Sequence, residues 1–333
     1  YIKNISSKVY KYHMKILAIQ NRMGIGDTII FLPFIKALSK KFNSPISLLV
    51  KENSKADQYL FETEYIDEIL ILKRDIKLDN RHGGIFGFFN LIKDIKKYNF
   101  EKIIIFNSSF RYYLVAKFSG ISELYQYPLF KKTKQHIVNT PREFMRSKLK
   151  LDVNEDPEIQ INERLVADAI NKFQMNKNEL NILLGIGGSG PTKRIPASTF
   201  LNLIKKILNF KKCKFFLATG KSEGEQNILE KILGSEFKNY CIPLNNLTIK
   251  ETLPIIKNCN LSVCNDSSFS HLSAALGIKT ITLMADTPII YGNYNTKMFP
   301  VIPDGEETVT HNTLGKDKIN SEKILNKIFE ILN

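Results

Sequence analysis

Short apolar runs alternate along this chain with longer stretches in which apolar side chains recur every third or fourth position. The first half reads "KILAIQ", a helical pattern from about Asp27 to Phe42, "ISLLV", "IDEILIL", a helical pattern from about Phe86 to Tyr98, and "KIIIFN". A helix after Phe110, the short strand "ELYQY" and a helical stretch near Pro141 to Lys150 complete it. Nearly continuous apolar strands separated by helices are the pattern of a parallel sheet buried on both faces. The segment "LDVNEDPEIQIN", acidic, Pro-containing and without helical period, reads as a connection. Alternation then restarts with a helix near Glu163 to Phe173, "NILLGIGG", a helix from Ser198, "KFFLATG", a helix from Ser222, "TIKETLPIIKNC", "LSVCND", "SHLSAALG" and "TITLMA", and the amphipathic "SEKILNKIFEIL" closes the chain.

This string predicts an α/β protein of two doubly wound, Rossmann-like domains, residues 14–160 and 161–333, with the last helix able to pack back on the first. Two such domains facing a central cleft make the GT-B architecture, although two-domain binding proteins and epimerases give the same string. A chain of 333 residues is long enough for two separate cores. No apolar run approaches the length that crosses a bilayer. The four cysteines, Cys213, Cys241, Cys259 and Cys264, form no C-x-x-C pair and lie in or beside apolar runs, as reduced core residues of a cytosolic protein would. The first thirteen residues are basic but lack a signal peptide's apolar segment. A formal net charge of +15 favours acidic partners, unless it merely solubilises the surface.

Candidate chemistry starts with "NRMGIGDTII", Asn21 to Ile30. It lacks the third glycine of a dinucleotide fingerprint and the Gly-Lys-Ser/Thr ending of a P-loop. Asp27 falls at a helix start, where a carboxylate is itself the anion that the helix end stabilises. Two readings stay open on spacing alone: Asp27 caps the helix, or the loop presents it as a reacting group.

Several stretches, in order, resemble glycosyltransferase family 9, the ADP-heptose:lipopolysaccharide heptosyltransferases and their relatives: "GDTIIFLPFIKALSKKF", "YIDEILIL", "FEKIIIFNSSFRYYLVAKFSGI", "GGSGPTKRIPASTF" and "NDSSFSHLSAALGIKTITLM". The resemblance covers nearly the whole chain from Met14. It implies an inverting, metal-independent transferase that moves a sugar, a heptose, from a nucleotide-diphosphate sugar such as ADP-heptose to a lipopolysaccharide-core or related glycan. It makes Asp27 the catalytic base. Lys193, which matches the family's lysine with Pro196 keeping register, then meets the donor phosphates with the glycines around Gly188, and Asp266 contacts the donor sugar. Ser267 and Ser268 stand where the family usually has Thr and Gly, at a helix start suited to an anion.

His271 joins the donor set, or ties two segments together. Glu225 accepts from ribose hydroxyls, or belongs to a helix start. On the acceptor side, Lys51, Arg111 and the "KKTK" run from Lys131 to Lys134 are basic candidates, with Arg111 favoured because it follows a strand end. No ligand set has metal spacing, and no cofactor beyond the donor substrate is expected. Localisation is expected to be cytoplasmic, with peripheral contact at the inner membrane surface. The alternatives are a nucleotide-sugar epimerase of the same fold and a basic nucleic-acid-binding protein. Against the latter, Phe86, Phe88 and Phe89 read as helix core rather than as a stacking platform.

Overall fold

The computed structural model describes residues 14–74, 80–129, 136–176 and 178–332, so the first thirteen residues and the Lys131–Lys134 run lie outside the described residues. In chain order the first elements are β1 (Ile16–Ile19), α1 (Ile25–Phe42), β2 (Ile46–Lys51), β3 (Ile66–Leu72), α2 (Gly84–Lys96), β4 (Lys102–Ile105), α3 (Phe110–Phe118), β5 (Glu123–Gln126) and α4 (Asn139–Leu149). The strands form one parallel sheet in the order β3-β2-β1-β4-β5. The central strands β1 and β4 are buried throughout, which explains their apolar sequence, with Lys102 at the start of β4 as the one polar residue.

The second set is α5 (Glu163–Lys172), β6 (Leu180–Gly185), α6 (Ala197–Leu208), β7 (Cys213–Ala218), α7 (Glu223–Leu233), β8 (Cys241–Pro243), α8 (Ile249–Lys257), β9 (Leu261–Asn265), α9 (Ser268–Ala275), β10 (Thr280–Leu283), α10 (Ile290–Asn293), β11 (Met298–Val301) and α11 (Ser321–Leu332). Its strands form a parallel sheet in the order β11-β10-β9-β6-β7-β8. Counted from its own first strand this is 6-5-4-1-2-3, the doubly wound order with winding reversed beside β6. The fold class is therefore two parallel-sheet α/β units. The edge strands β8 and β11 carry no signal in the sequence, because both are short and contain a proline, Pro243 and Pro300, that an edge tolerates.

The chain divides into one compact unit of residues up to Asn21, Phe34–Glu52 and Glu64–Val153, and a second of Arg22–Pro33, Asn53–Thr63 and Asn154–Asn333. The second unit thus takes in two early segments besides the sequence that follows the acidic connection. Inside that unit Ile249 N donates to Gln58 Oε1 at 3.3 Å, and Lys250 lies over the Phe61 ring. The last helix, α11, buries Ile324, Leu325, Ile328 and Ile331 in the second unit's own core, with Phe200 and Ile204 of α6. All four cysteines are buried and unpaired, and burial pushes their thiols up, Cys213 to about 11 and Cys241 and Cys264 to about 12.

One expectation fails. Phe86 and Phe89 are not helix core: both are exposed on α2, and Phe88 is half-buried, with Leu91, Ile92 and Ile95 taking the inward positions. The helix is apolar on both faces along its first half, so composition gave no reason to choose the buried one. Among the described residues, no helix is long and apolar enough to cross a membrane.

Candidate functional site

In a doubly wound sheet the loops that leave the two strands flanking the reversal diverge, and a crevice opens at the strands' carboxyl ends. In the second sheet those strands are β6 and β9. Their loops line a cavity of about 600 Å³, a volume suited to a substrate-sized molecule. The cavity brings together Asp27, Gly188, Lys193, Glu225, Asp266, Ser267, Ser268 and His271. All of them belong to the second unit, because the segment carrying Asp27 does.

The base candidate sits just inside α1. That helix begins at Ile25, and its first bond runs from Thr28 N to Gly24 O at 3.4 Å. Asp27 is therefore in the first turn and is not the capping residue. Gly24 has φ of +101°, a conformation that a side chain would strain. Burial pushes the Asp27 carboxyl up to about 6; the charges of Arg22 and Lys193 pull against that rise, and the charge of Asp266 adds to it.

Asp266, at the end of β9, is buried and accepts from Lys193 Nζ at 2.7 Å. Burial alone would raise its pKa, but the Lys193 ammonium and the neighbouring His271 outweigh that and hold the carboxyl below its ordinary range. The two donor-side residues named from the sequence are thus each other's partner. Lys193 owes its position to the short turn Pro191–Lys193, which the Gly190 and Pro191 pair starts.

Glu225 has a different occupation from the one its sequence position suggests. It is buried at the third position of α7 and completes a capping box with Ser222. Its Oε1 accepts from Gly188 N at 2.9 Å and Gly220 N at 3.3 Å, and its Oε2 accepts from Ser222 Oγ at 2.6 Å. A Cβ on Gly187 or Gly220 would fall 2.5 Å from this carboxylate, so glycine is required on both sides of it. Gly188 is held twice, since its carbonyl also accepts from Arg194 Nε at 2.9 Å.

His271 in α9 stacks on Tyr294, with 2.8 Å from Nδ1 to the phenol oxygen. Burial lowers its pKa to about 4, although the Asp266 charge pulls it upward, so the ring is neutral at physiological pH. A Cβ at Gly26 would lie 2.5 Å from its Cδ2 and Nε2. His271 therefore packs directly against the residue before Asp27, and ties the α9 start to the α1 start.

Sequence reasoning missed several lining residues. Thr219 lines the cavity, and its Oγ1, like the Oγ of the expected Ser267, is buried without a protein partner among the described residues. Tyr291 lines it as well, its phenol raised by burial and then by the Asp27 charge. Arg22, which is not among the lining residues, was not singled out from the sequence either, although its charge acts on Asp27. Lys51 and Arg111 do not line the cavity and belong to the first unit. Arg111 donates Nη1 to Gly84 O at 2.9 Å and Nη2 to His82 O at 2.8 Å, and stands over Phe88, so it braces the turn that starts α2. Among the described residues no group of three His, Cys, Asp or Glu side chains is placed to hold a metal.

Two doubly wound sheets, with a polar cavity at the second reversal that holds a carboxyl of raised pKa beside the Lys193–Asp266 ion pair, match the class of two-sheet α/β glycosyltransferases. The family profile described as glycosyltransferase family 9 (heptosyltransferase) matches residues 90–313, and the chain belongs to that family. It is 28% identical over 178 residues to lipopolysaccharide heptosyltransferase 1 of Campylobacter coli, which covers 51% of this chain and about half, 52%, of that protein. It is 25% identical over 309 residues to lipooligosaccharide heptosyltransferase 2 of Campylobacter jejuni subsp. jejuni serotype O:6, covering 86% and 93%. The solved ADP-heptose lps heptosyltransferase II of E. coli shares the fold with a TM-score of 0.72 at 19% identity, over 96% of this chain and 98% of that one. The UDP-GlcNAc 2-epimerase of Neisseria meningitidis is a weaker likeness, with a TM-score of 0.51 at 12% identity over 95% and 92%.

Two expected outcomes follow from the charges. Lys193→Met leaves Asp266 buried and uncompensated and should lower stability by on the order of 3 kcal/mol in chemical denaturation. The double variant Lys193→Met/Asp266→Asn should recover most of that; an additive loss would show that the pair is not coupled. For Asp27, the folded chain keeps a proton that the unfolded chain has released between pH about 4 and about 6. Stability from this group is complete below that window and lost as pH rises through it. Asp27→Asn should then melt higher than the parent by the equivalent of about 2–3 kcal/mol above pH 7, with the difference vanishing near pH 4. A difference independent of pH would contradict the raised carboxyl.

Proposed function

We propose that this chain transfers a heptose, with inversion at the anomeric carbon, from a nucleotide-diphosphate heptose, ADP-heptose, to an anionic lipopolysaccharide-core or related glycan. The observation that carries the reading is the Asp27 carboxyl, pushed up to about 6 in the same cavity as the Lys193–Asp266 pair. A general base works best when its pKa approaches the operating pH. In the proposed step the acceptor oxygen bonds to the anomeric carbon as that carbon's bond to the diphosphate oxygen breaks. The hydroxyl proton passes to Asp27, and the electron pair leaves with the nucleoside diphosphate.

Charge on the departing diphosphate needs fixed donors. Lys193 supplies the cation, sharing it with Asp266, and the Ser267 and Thr219 hydroxyls and the amides at the start of α9 supply neutral donors. Asp266 faces the sugar, and Leu244 and Leu247 offer the base an apolar wall. Glu225 serves by fixing the Gly188 and Gly220 turns around the nucleotide. No metal or further cofactor takes part in this reading. The setting is the cytoplasm, with the glycolipid acceptor at the inner membrane surface. The names of the curated relatives support heptose and lipopolysaccharide. An epimerase would consume the donor with no acceptor present, and this chain is expected not to.

The pH dependence of kcat/KM tests the base directly: the rate should climb as pH rises through about 6 and then level, because Asp27 must be ionised to accept a proton. Asp27→Asn should lose at least about a hundredfold in turnover while ADP still protects it against thermal unfolding. A well-folded variant with near-normal turnover would remove Asp27 from the chemistry. Separately, excess EDTA should leave the rate unchanged; loss of activity restored by one divalent ion would overturn the metal-free reading.

A further inference from the structure

The exposed face of α2 has two ends of opposite character. Toward its start stand Ile85, Phe86 and Phe89, which are 78%, 87% and 61% exposed. At 100° per residue these three share a stripe with Lys93, Lys96 and Lys97, all exposed, at and just beyond the helix end. The buried stripe, Leu91, Ile92 and Ile95, is separate and already serves the core. Phe88 packs edge-on against Phe89, and also against Phe118 of α3, which is 58% exposed, so the apolar surface runs from one helix to the next. Together these side chains present roughly 500 Å² of apolar surface, at the upper end of what monomers leave bare.

Charge decides what such a surface fits. Across α2 and α3 the basic residues are Lys93, Lys96, Arg111 and Lys117, and the single acid, Asp94, is already paired with Arg81 and Lys97. The ion pairs hold the Asp94 carboxyl well below the usual carboxylate range, so it stays matched at any physiological pH. Aromatic and aliphatic side chains at one end of a stripe, with uncompensated lysines at the other, match the boundary of an anionic bilayer: rings enter the acyl margin, and ammonium groups meet lipid phosphates. Nucleic acid fits less well. Ile85 offers no stacking face, and Phe88 turns its neighbours edge-on instead of leaving a flat platform.

We propose that the α2–α3 face is a membrane-docking surface, in which Ile85, Phe86, Phe89 and Phe118 insert at the interface of an anionic bilayer and the lysines of α2 hold its headgroups. The inference gives residues to the glycolipid setting proposed above and rests on that reading for its purpose. Vesicle binding, measured without donor or acceptor, fails or succeeds independently of sugar transfer.

The test compares the full chain with Phe86→Ser/Phe89→Ser and with Lys93→Glu/Lys96→Glu, by co-sedimentation with phosphatidylglycerol-containing vesicles and with pure phosphatidylcholine vesicles. The parent should sediment with the anionic vesicles, and each double variant should lose at least about tenfold in partitioning. Thermal melting and protection by ADP should be unchanged, since the substituted side chains are exposed. Three results would overturn the proposal: no sedimentation of the parent with anionic vesicles, equal sedimentation of parent and variants, or loss on substitution of an oligomer or of RNA binding instead of vesicle binding.

Discussion

One ammonium group, that of Lys193, serves two carboxyl groups, and much of the site's behaviour depends on how unequally it does so. Asp266 receives it at 2.7 Å and is held ionised despite its burial. At Asp27 burial prevails over the charge of Arg22 and the weaker pull of the same Lys193, and the carboxyl is pushed up to about 6. Two acids in one cavity are thereby pushed to opposite sides of their ordinary range, so that one carboxyl is a fixed charge while the other titrates within reach of physiological pH. The arrangement costs stability at Asp27, and in the function proposed above that cost is what would fit its carboxylate to accept a proton.

Such discrimination needs positions fixed to a fraction of an ångström, and glycine provides them. Gly26 lets the His271 ring lie where a methyl would stand, and Gly187 and Gly220 admit the Glu225 carboxylate between them. Glu225 then holds the two strand-end turns in register through Gly188 N and Gly220 N. His271, neutral because it is buried, adds packing without adding charge beside Lys193, Asp27 and Asp266. Precise backbone approach and a controlled charge count are in this way the same design feature.

The sheets were legible because parallel strands buried on both faces leave apolar runs, as β1 and residues Ile103–Ile105 of β4 do. The edge strands β8 and β11 were not, since a short proline-containing segment has neither run nor alternation. Eight of the expected site residues meet in one cavity because strand-end loops at a winding reversal must converge, and the sequence marks those loops with glycine and serine. What the sequence could not display was partnership. That Lys193 binds Asp266, that Glu225 is saturated by its own turns, and that Arg111 braces α2 are facts about tertiary distance, with no trace in spacing.

The formal charge of +15 looks at first like an adaptation to phosphorylated substrates, but the cavity does not carry it. Its lining holds Asp27, Glu225 and Asp266 against Lys193 and Lys221, an excess of acid. In the function proposed above, a diphosphate there would be met by Lys193, which it would share with Asp266, and by oriented neutral donors, which can stabilise a leaving group without trapping it. The basic excess is therefore a property of outer surfaces, and α2 shows one form it takes: lysines continuing a stripe of exposed phenylalanines. If the two proposals hold, a long-range positive field would govern encounter with anionic surfaces while a short-range site of nearly balanced charge governs chemistry, so each could be tuned without disturbing the other.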